Sequence, residues 1–338
     1  MVWPPAIGAR PADVGQAGEL RGMQETDPRL RHWRARLAAR AEEAATAVGA
    51  IPGVAGVVLG GSFGRGEHWP LSDLDLIVVG AGRPVADLAA EVDQCAYQLS
   101  EMWGTSGIYT AVDAGRLTFD AGELSGDPAE RMDDHRWLHG LDKVYGGRPA
   151  RDDDGVASAL LELSARRRFD EAVVGRRVEA WLATAQRALA DAQRRADDDA
   201  TAAWIAVRQA ATAIAEVATE RWGERAGSLG RYWTLFEARA RRHGDPAFAD
   251  RLLTAAHAHP APRADVPEWL ADRIALSYEA RQLVGEDVTP EQNARDNHLA
   301  YAGLYHRRFP RSAYTWMRPP PDADVRAAVG ALRELARS

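Results

Sequence analysis

Apolar residues recur at three- and four-residue spacing over Leu30, Trp33, Leu37, Ala41, Ala44 and Val48, which predicts an amphipathic helix. Asp27-Pro28 supplies its start, an N-cap followed by proline in the first turn, and Gly49 supplies its stop. The continuous apolar run Val54–Leu59 reads as a buried strand, broken by Gly60-Gly61-Ser62. A second strand is predicted over 73–79, followed by a loop over 80–84. Leu88, Val92, Cys95, Leu99 and Met102 then share one face of a helix over about 85–103. Residues 108–112 and 116–119 read as two short strands of a hairpin turning through Asp113-Ala114-Gly115. A polar helical segment over 128–139 leads to a last short strand, Lys143-Val144-Tyr145, which Gly146-Gly147 ends.

Past an Asp-rich linker over 151–155 the texture changes to Ala, Leu and Arg with helical period. Trp181, Leu182 and Leu189, then Trp204, Val207, Ala211, Ile214 and Val217, fall on helix faces. A proline-containing break over 259–267 precedes helices over about 268–283 and 290–308, and a last helix covers 322–337. The pattern predicts a weakly ordered arm over 1–27, an α/β domain over 28–150 and an all-α domain over 151–338.

Composition agrees with this division. The 338 residues suit two domains, and 46% hydrophobic with 27% charged residues is ordinary for globular chains. The formal net charge of −7 argues against a protein that grips nucleic acid through a broad basic surface, and leaves room for a cationic substrate. Lys143 is the only lysine among 42 basic residues, which reads as coding bias. Cys95 stands alone, so neither an intrachain disulfide nor a Cys-rich metal site is available. No stretch approaches the ~20 apolar residues of a membrane span, and the start of the chain lacks the order of a signal peptide. A cytoplasmic protein is expected.

The chemistry concentrates in Gly60-Gly61-Ser62-Phe63-Gly64-Arg65-Gly66-Glu67 and Ser72-Asp73-Leu74-Asp75-Leu76. The glycines allow a tight turn off a buried strand and close approach of a bulky ligand. Ser62, near a helix start, offers a hydroxyl beside free backbone N–H groups, which suits a phosphate. Asp73 and Asp75 alternate with Leu74 and Leu76, so both acids face one way and both leucines the other. Two carboxylates ~4 Å apart repel by roughly 4 kcal/mol at an effective dielectric of about 20. A shared proton, a basic partner or a divalent cation must offset this, and hard oxygen ligands beside a phosphate turn favour Mg²⁺.

Gly-Ser, ten intervening residues, then Asp-apolar-Asp-apolar between apolar strands resembles the nucleotidyltransferase signature of the DNA polymerase beta superfamily. The resemblance covers about 50–150 and implies a mixed sheet with flanking helices. It implies that Asp73 and Asp75 hold two Mg²⁺ ions, that Gly61, Ser62 and Arg65 contact the nucleotide, and that ATP or another NTP is the co-substrate. Arg65 reads equally as a solvated side chain. The third carboxylate of the family is expected at Asp120, on the second strand of the hairpin, with Asp113 and Glu123 as alternatives; Asp113 also reads as a turn residue.

The helical second half is similar in texture to the C-terminal bundle of aminoglycoside and lincosamide nucleotidyltransferases. That likeness implies transfer of a nucleoside monophosphate, AMP from ATP, to a hydroxyl of a small molecule bound between the domains. Asp170, Glu171 and Glu179 are candidates to face a cationic acceptor, or are ordinary surface acids. Two alternatives stand beside this reading: transfer to an RNA end or a partner protein, and a non-catalytic relative that lacks the third carboxylate. A homodimer remains open. The Arg and His spacing of HEPN ribonucleases is absent from the predicted helices.

Overall fold

The computed structural model describes residues 27–107, 109–225, 229–259, 266–308 and 324–338, without the side chains of 306–308. The expected arm, apart from Asp27, lies outside the described residues. The first helix, α1 (Pro28–Gly49), begins as its sequence dictates: the Asp27 carboxylate accepts the Arg29 N–H at 2.7 Å, with proline in the first turn. Strands β1 (Val54–Leu59) and β2 (Leu74–Gly80) follow, separated by the one-turn helix α2 (Gly61–Gly64). Helix α3 (Val85–Thr105) buries Leu88, Val92 and Leu99.

The next two strands are β3 (Val112–Asp113) and β4 (Thr118–Asp120), and they do not form the expected hairpin. Both run parallel to β2, Leu74 opposite Val112 and Val78 opposite Thr118, with a 3₁₀ turn over Gly115–Leu117 between them. The crossover through α3 returns the chain to the same end of the sheet, so pairing with β2 is parallel. The short turn interrupts that edge without reversing it.

Helix α4 (His135–Val144) includes Lys143, so no strand forms over 143–145; the last strand is instead β5 (Arg148–Asp152), antiparallel to β1. Its sequence, Arg-Pro-Ala-Arg-Asp, carries no apolar alternation because it is an exposed edge held mainly by backbone bonds to β1. The sheet is mixed, in the order β3-β2-β1-β5 with β4 also on β2.

Period-two alternation divides β2 between two apolar layers. Leu74, Leu76 and Val78 pack with Leu37, Ala41 and Val48 of α1 and Leu88 and Val92 of α3. Ile77 and Val79 pack with Phe119, Trp137 and Leu141 of the α4 side. Helix α5 (Val156–Arg167) lies beyond the expected boundary at 150–155, yet Ala157 and Leu160 join this second layer and the helix rests on β1 and β5.

The rest of the chain is helical among the described residues: α6 (Glu171–Arg195), α7 (Ala200–Arg221), α8 (Tyr232–Arg242), α9 (Pro246–Ala255), α10 (Glu268–Leu283), α11 (Pro290–Arg308) and α12 (Val325–Arg337). Helices α6 and α7 form the long antiparallel pair, and α12 packs on both. Trp204 and Trp233 are core residues, Trp181 and Trp222 lie at the core's edge, and Trp269 stacks on Tyr305 at the surface. The two halves are joined through buried Arg168. Its guanidinium donates to Asp142 of α4 at 2.9 Å and to both oxygens of Glu220 of α7 at 2.8 and 2.9 Å. Arg177 of α6 adds a bond to Glu220 at 2.8 Å and one to the Leu138 carbonyl. No described helix is long and apolar enough to cross a membrane.

Candidate active site

The turn after β1 is built around one acid. Gly60 N–H donates to the Asp75 carbonyl at 2.9 Å, and Gly61 adopts φ +57°, with the Asp75 carboxylate against its α-carbon. A Cβ at position 61 would sit 1.7 Å from Asp75 Oδ2, so this position accepts only glycine. Ser62 opens the one-turn helix, and its hydroxyl donates to Ser72 Oγ at 3.1 Å, which ties the turn to the start of β2.

Strand register sets the carboxylates. Asp75 lies opposite Asp113 in the parallel β2–β3 pair, and oxygens of Asp73, Asp75 and Asp113 all approach within 4.8 Å of one another. Asp120 does not join them. It lies opposite Gly80, five residues further along β2, or about 16 Å at a rise of ~3.3 Å per residue. Its carboxylate caps a 3₁₀ turn by accepting the Gly122 N–H at 2.7 Å, and Glu123 bonds Arg136 at 3.0 Å. The third acid expected at Asp120 is therefore supplied in space by Asp113. The hairpin assumption displaced it: in a parallel edge, the residue that ends β3 is the one that reaches β2's acids.

Asp75 is 2% exposed. Burial and neighbouring Asp73 push its carboxyl up to about 7, against the opposing pull of Lys143. The Lys143 ammonium lies 2.8 Å from Oδ1 and 3.0 Å from Oδ2, donating to Oδ2 and leaving Oδ1 without a directed hydrogen bond. A buried carboxylate oxygen lacking a donor, inside a cluster of three hard oxygen ligands, fits a divalent cation. Asp113 in turn is forked by Arg116, with Nε at 2.7 and 2.8 Å from its two oxygens. Neither Lys143 nor Arg116 was singled out by the motif; the signal for Lys143 was its being the chain's one lysine.

Arg65 lies at the edge of the site, bonded to Glu67 at 2.7 Å, with Nη1 shielded from solvent and unpartnered. Arg225, from the helical half, reaches the same Glu67 at 3.2 Å and lies over the Tyr145 ring. His68 packs between Trp33 and Phe63 and contacts neither carboxylate nor turn hydroxyl. Helix α4 packs on one face of the sheet, with Lys143 reaching Asp75. His135, His139 and Lys143, four residues apart, share one stripe of it. Burial, with help from His135 and Arg177, pushes the His139 imidazole down to about 3, and its ring meets the edge of Trp181 at 5.3 Å. Of the candidate acceptor acids, Asp170 pairs with Arg167 and Glu179 with Arg176, each at 2.7 Å, and Glu171 is exposed in the first turn of α6.

Residues 41–101 match the family model described as a nucleotidyltransferase domain. The matched segment holds β1, the Gly60–Ser62 turn, Asp73 and the Asp75 of β2. Neither the curated proteins nor the solved structures gave a significant match to the chain. The match and the three-carboxylate cluster support a nucleotidyltransferase enzyme.

Proposed function

We propose that the protein transfers a nucleoside monophosphate, AMP from ATP, to a hydroxyl of a small molecule such as an aminoglycoside-like antibiotic or a natural-product intermediate, releasing pyrophosphate. The observation that carries this reading is the convergence of Asp73, Asp75 and Asp113 beside the Gly60–Ser62 turn. In this reading Asp73, Asp75 and Asp113 hold Mg²⁺, whose charge stabilises the developing negative charge of the transferred phosphoryl group and leaving pyrophosphate.

The chain's own groups do the rest. The Ser62 hydroxyl and the amides of its turn hold the β- and γ-phosphates, and Arg65 adds charge through its unpartnered nitrogen. A cluster carboxylate takes the acceptor's hydroxyl proton as the new bond from oxygen to the α-phosphorus forms and the bond to pyrophosphate breaks.

Helix α4 supports a further reading of the acceptor side. Its His135 end lies towards Asp113 and Arg116, whose charges both act on that imidazole, and its Lys143 end meets Asp75. Along this stripe His135 is exposed, whereas His139 behind it is kept neutral by burial and packs against the edge of Trp181. An acceptor that approached along this stripe would meet the His135 imidazole and the cluster carboxylates, which suits a molecule carrying hydroxyl or amino groups.

The test combines ATP labelled in its α-phosphate, Mg²⁺ and a panel of neutral polyhydroxylated and aminated sugars. Label should pass to a hydroxylated acceptor with one pyrophosphate released per transfer. Absence of pyrophosphate with every acceptor, together with unaltered ATP–Mg²⁺ binding in Asp73→Asn and Asp75→Asn, would sink the reading.

A further inference from the structure

We infer that Lys143 is an internal counter-ion that shares Asp75 with the divalent cation, so that a metal enters the cluster by displacing the Lys143 ammonium. The inference rests on the reading of Asp73, Asp75 and Asp113 as a metal centre. Three carboxylates with oxygens within 4.8 Å of one another, one of them almost wholly buried, repel one another unless a proton or nearby positive charge offsets them. Two side-chain cations provide it: Lys143 on Asp75 at 2.8 Å, and Arg116 on Asp113 at 2.7 Å.

The two are held differently. Arg116 grips both oxygens of its acid through a planar guanidinium, whereas Lys143 sits 2.8 and 3.0 Å from the two oxygens of Asp75 as a single ammonium, with a directed hydrogen bond only to Oδ2. A compact ammonium on a flexible stem is a point charge that another cation can replace; a bidentate guanidinium is harder to dislodge. In a chain whose other basic residues are all arginine, the one lysine sits at this position. Its side chain is 32% exposed although its partner's is 1% exposed, so the stem that carries the ammonium is not enclosed by the sheet as Asp75 is. Lys143 also belongs to α4, whose Asp142 is fixed by Arg168, so the helix stays anchored while only the side chain moves.

The consequence is a cluster that keeps its shape without metal and binds a lone divalent cation only modestly, because each entering ion must replace a charge already in place. Binding of Mn²⁺ alone, followed by electron paramagnetic resonance, tests this in the intact protein and in Lys143→Met, Lys143→Gln and Lys143→Arg. Lys143→Met and Lys143→Gln should bind Mn²⁺ on the order of tenfold more tightly than the parent, with a lower melting temperature in chelator and a larger rise on adding Mn²⁺. Lys143→Arg, which keeps the charge, should bind no more tightly than the parent. In unaltered protein labelled with ¹⁵N-lysine, the single side-chain ammonium signal should move on addition of Mg²⁺, a readout that survives if a variant fails to fold. Mn²⁺ binding to the parent with no tightening in Lys143→Met and Lys143→Gln, or an ammonium signal unmoved at saturating Mg²⁺, would overturn the exchange and leave the metal centre standing. Absence of Mn²⁺ binding in the parent and every variant would overturn the metal centre itself.

Discussion

Gly61 and Asp75 show how closely the backbone and the chemistry are fitted to each other. The left-handed φ of +57° and the Asp75 oxygen 1.7 Å from where a Cβ would lie exclude any side chain at position 61. Gly61→Ala should therefore cost about 2–4 kcal/mol from backbone strain and steric overlap, read as a lower urea midpoint, and should disturb the carboxylate that the turn encloses. An alanine variant as stable as the parent would contradict this account of the turn. Asp73, Asp75, Gly61 and Ser62 were legible in the sequence because they lie on one short segment, where alternation and spacing alone determine who faces whom. Asp113 was legible only as an alternative to Asp120, and Lys143 not at all, since their roles depend on which strand edge and which helix end the chain brings back to that segment. Local patterning holds no record of that return.

Helix α4 is the element on which most of the site depends. Its start fell within the polar helical segment expected over 128–139, but its end, Lys143-Val144-Tyr145, reads as a strand by local apolarity, although Lys143 and Val144 belong to the last turn of the helix. The helix is fixed to both halves of the molecule: Trp137, Leu141 and Val144 enter the sheet's apolar layer, while Asp142 meets Arg168. Burial alone would raise the Asp142 carboxyl, but the guanidinium groups of Arg168 and Arg177 hold it far below the usual carboxylate range. Removing one partner of such a buried pair leaves the others uncompensated. Arg168→Met is expected to lower stability by about 3–5 kcal/mol, and adding Glu220→Gln to it should recover part of that loss. Losses that simply add in the double variant, by thermal denaturation, would mean that Arg168 and Glu220 do not act as a pair. The first strand and the first helix were legible from an unbroken apolar run and from a helical period with its own N-cap, and the helices over 268–283 and 290–308 from the prolines at their starts. The edge strands β3 to β5 were not, because their pairing comes from the crossover and from backbone bonds.

Across the whole molecule, an α/β layer and a helical bundle share one polar seam, and a buried acid, Glu216, lies in its wall. Burial, together with nearby Glu220, pushes the Glu216 carboxyl up to about 7, against a hydrogen bond from Tyr232. A carboxyl whose pKa is higher folded than unfolded favours the folded state while protonated, so this contribution is present at low pH and is lost as pH rises from about 4.5 to about 7. Glu216→Gln should flatten that part of the stability profile and exceed the parent by on the order of 2 kcal/mol above pH 7, with the two converging near pH 4. Parallel profiles for the two proteins would show that Glu216 stays ionised. The acidity that marks the composition is thus divided between a cluster that requires cations and acids paired or buried in the bundle.

The central claim is that Asp113, and not Asp120, completes the reacting cluster. It is tested most directly by pyrophosphate release from ATP and Mg²⁺ with a hydroxylated acceptor, comparing Asp113→Asn with Asp120→Asn. Asp113→Asn should fall by about a thousandfold or more, as for loss of a group that stabilises transition-state charge, while Asp120→Asn stays within about threefold of the parent, as for a surface cap. An active Asp113→Asn beside an inactive, folded Asp120→Asn would contradict the account.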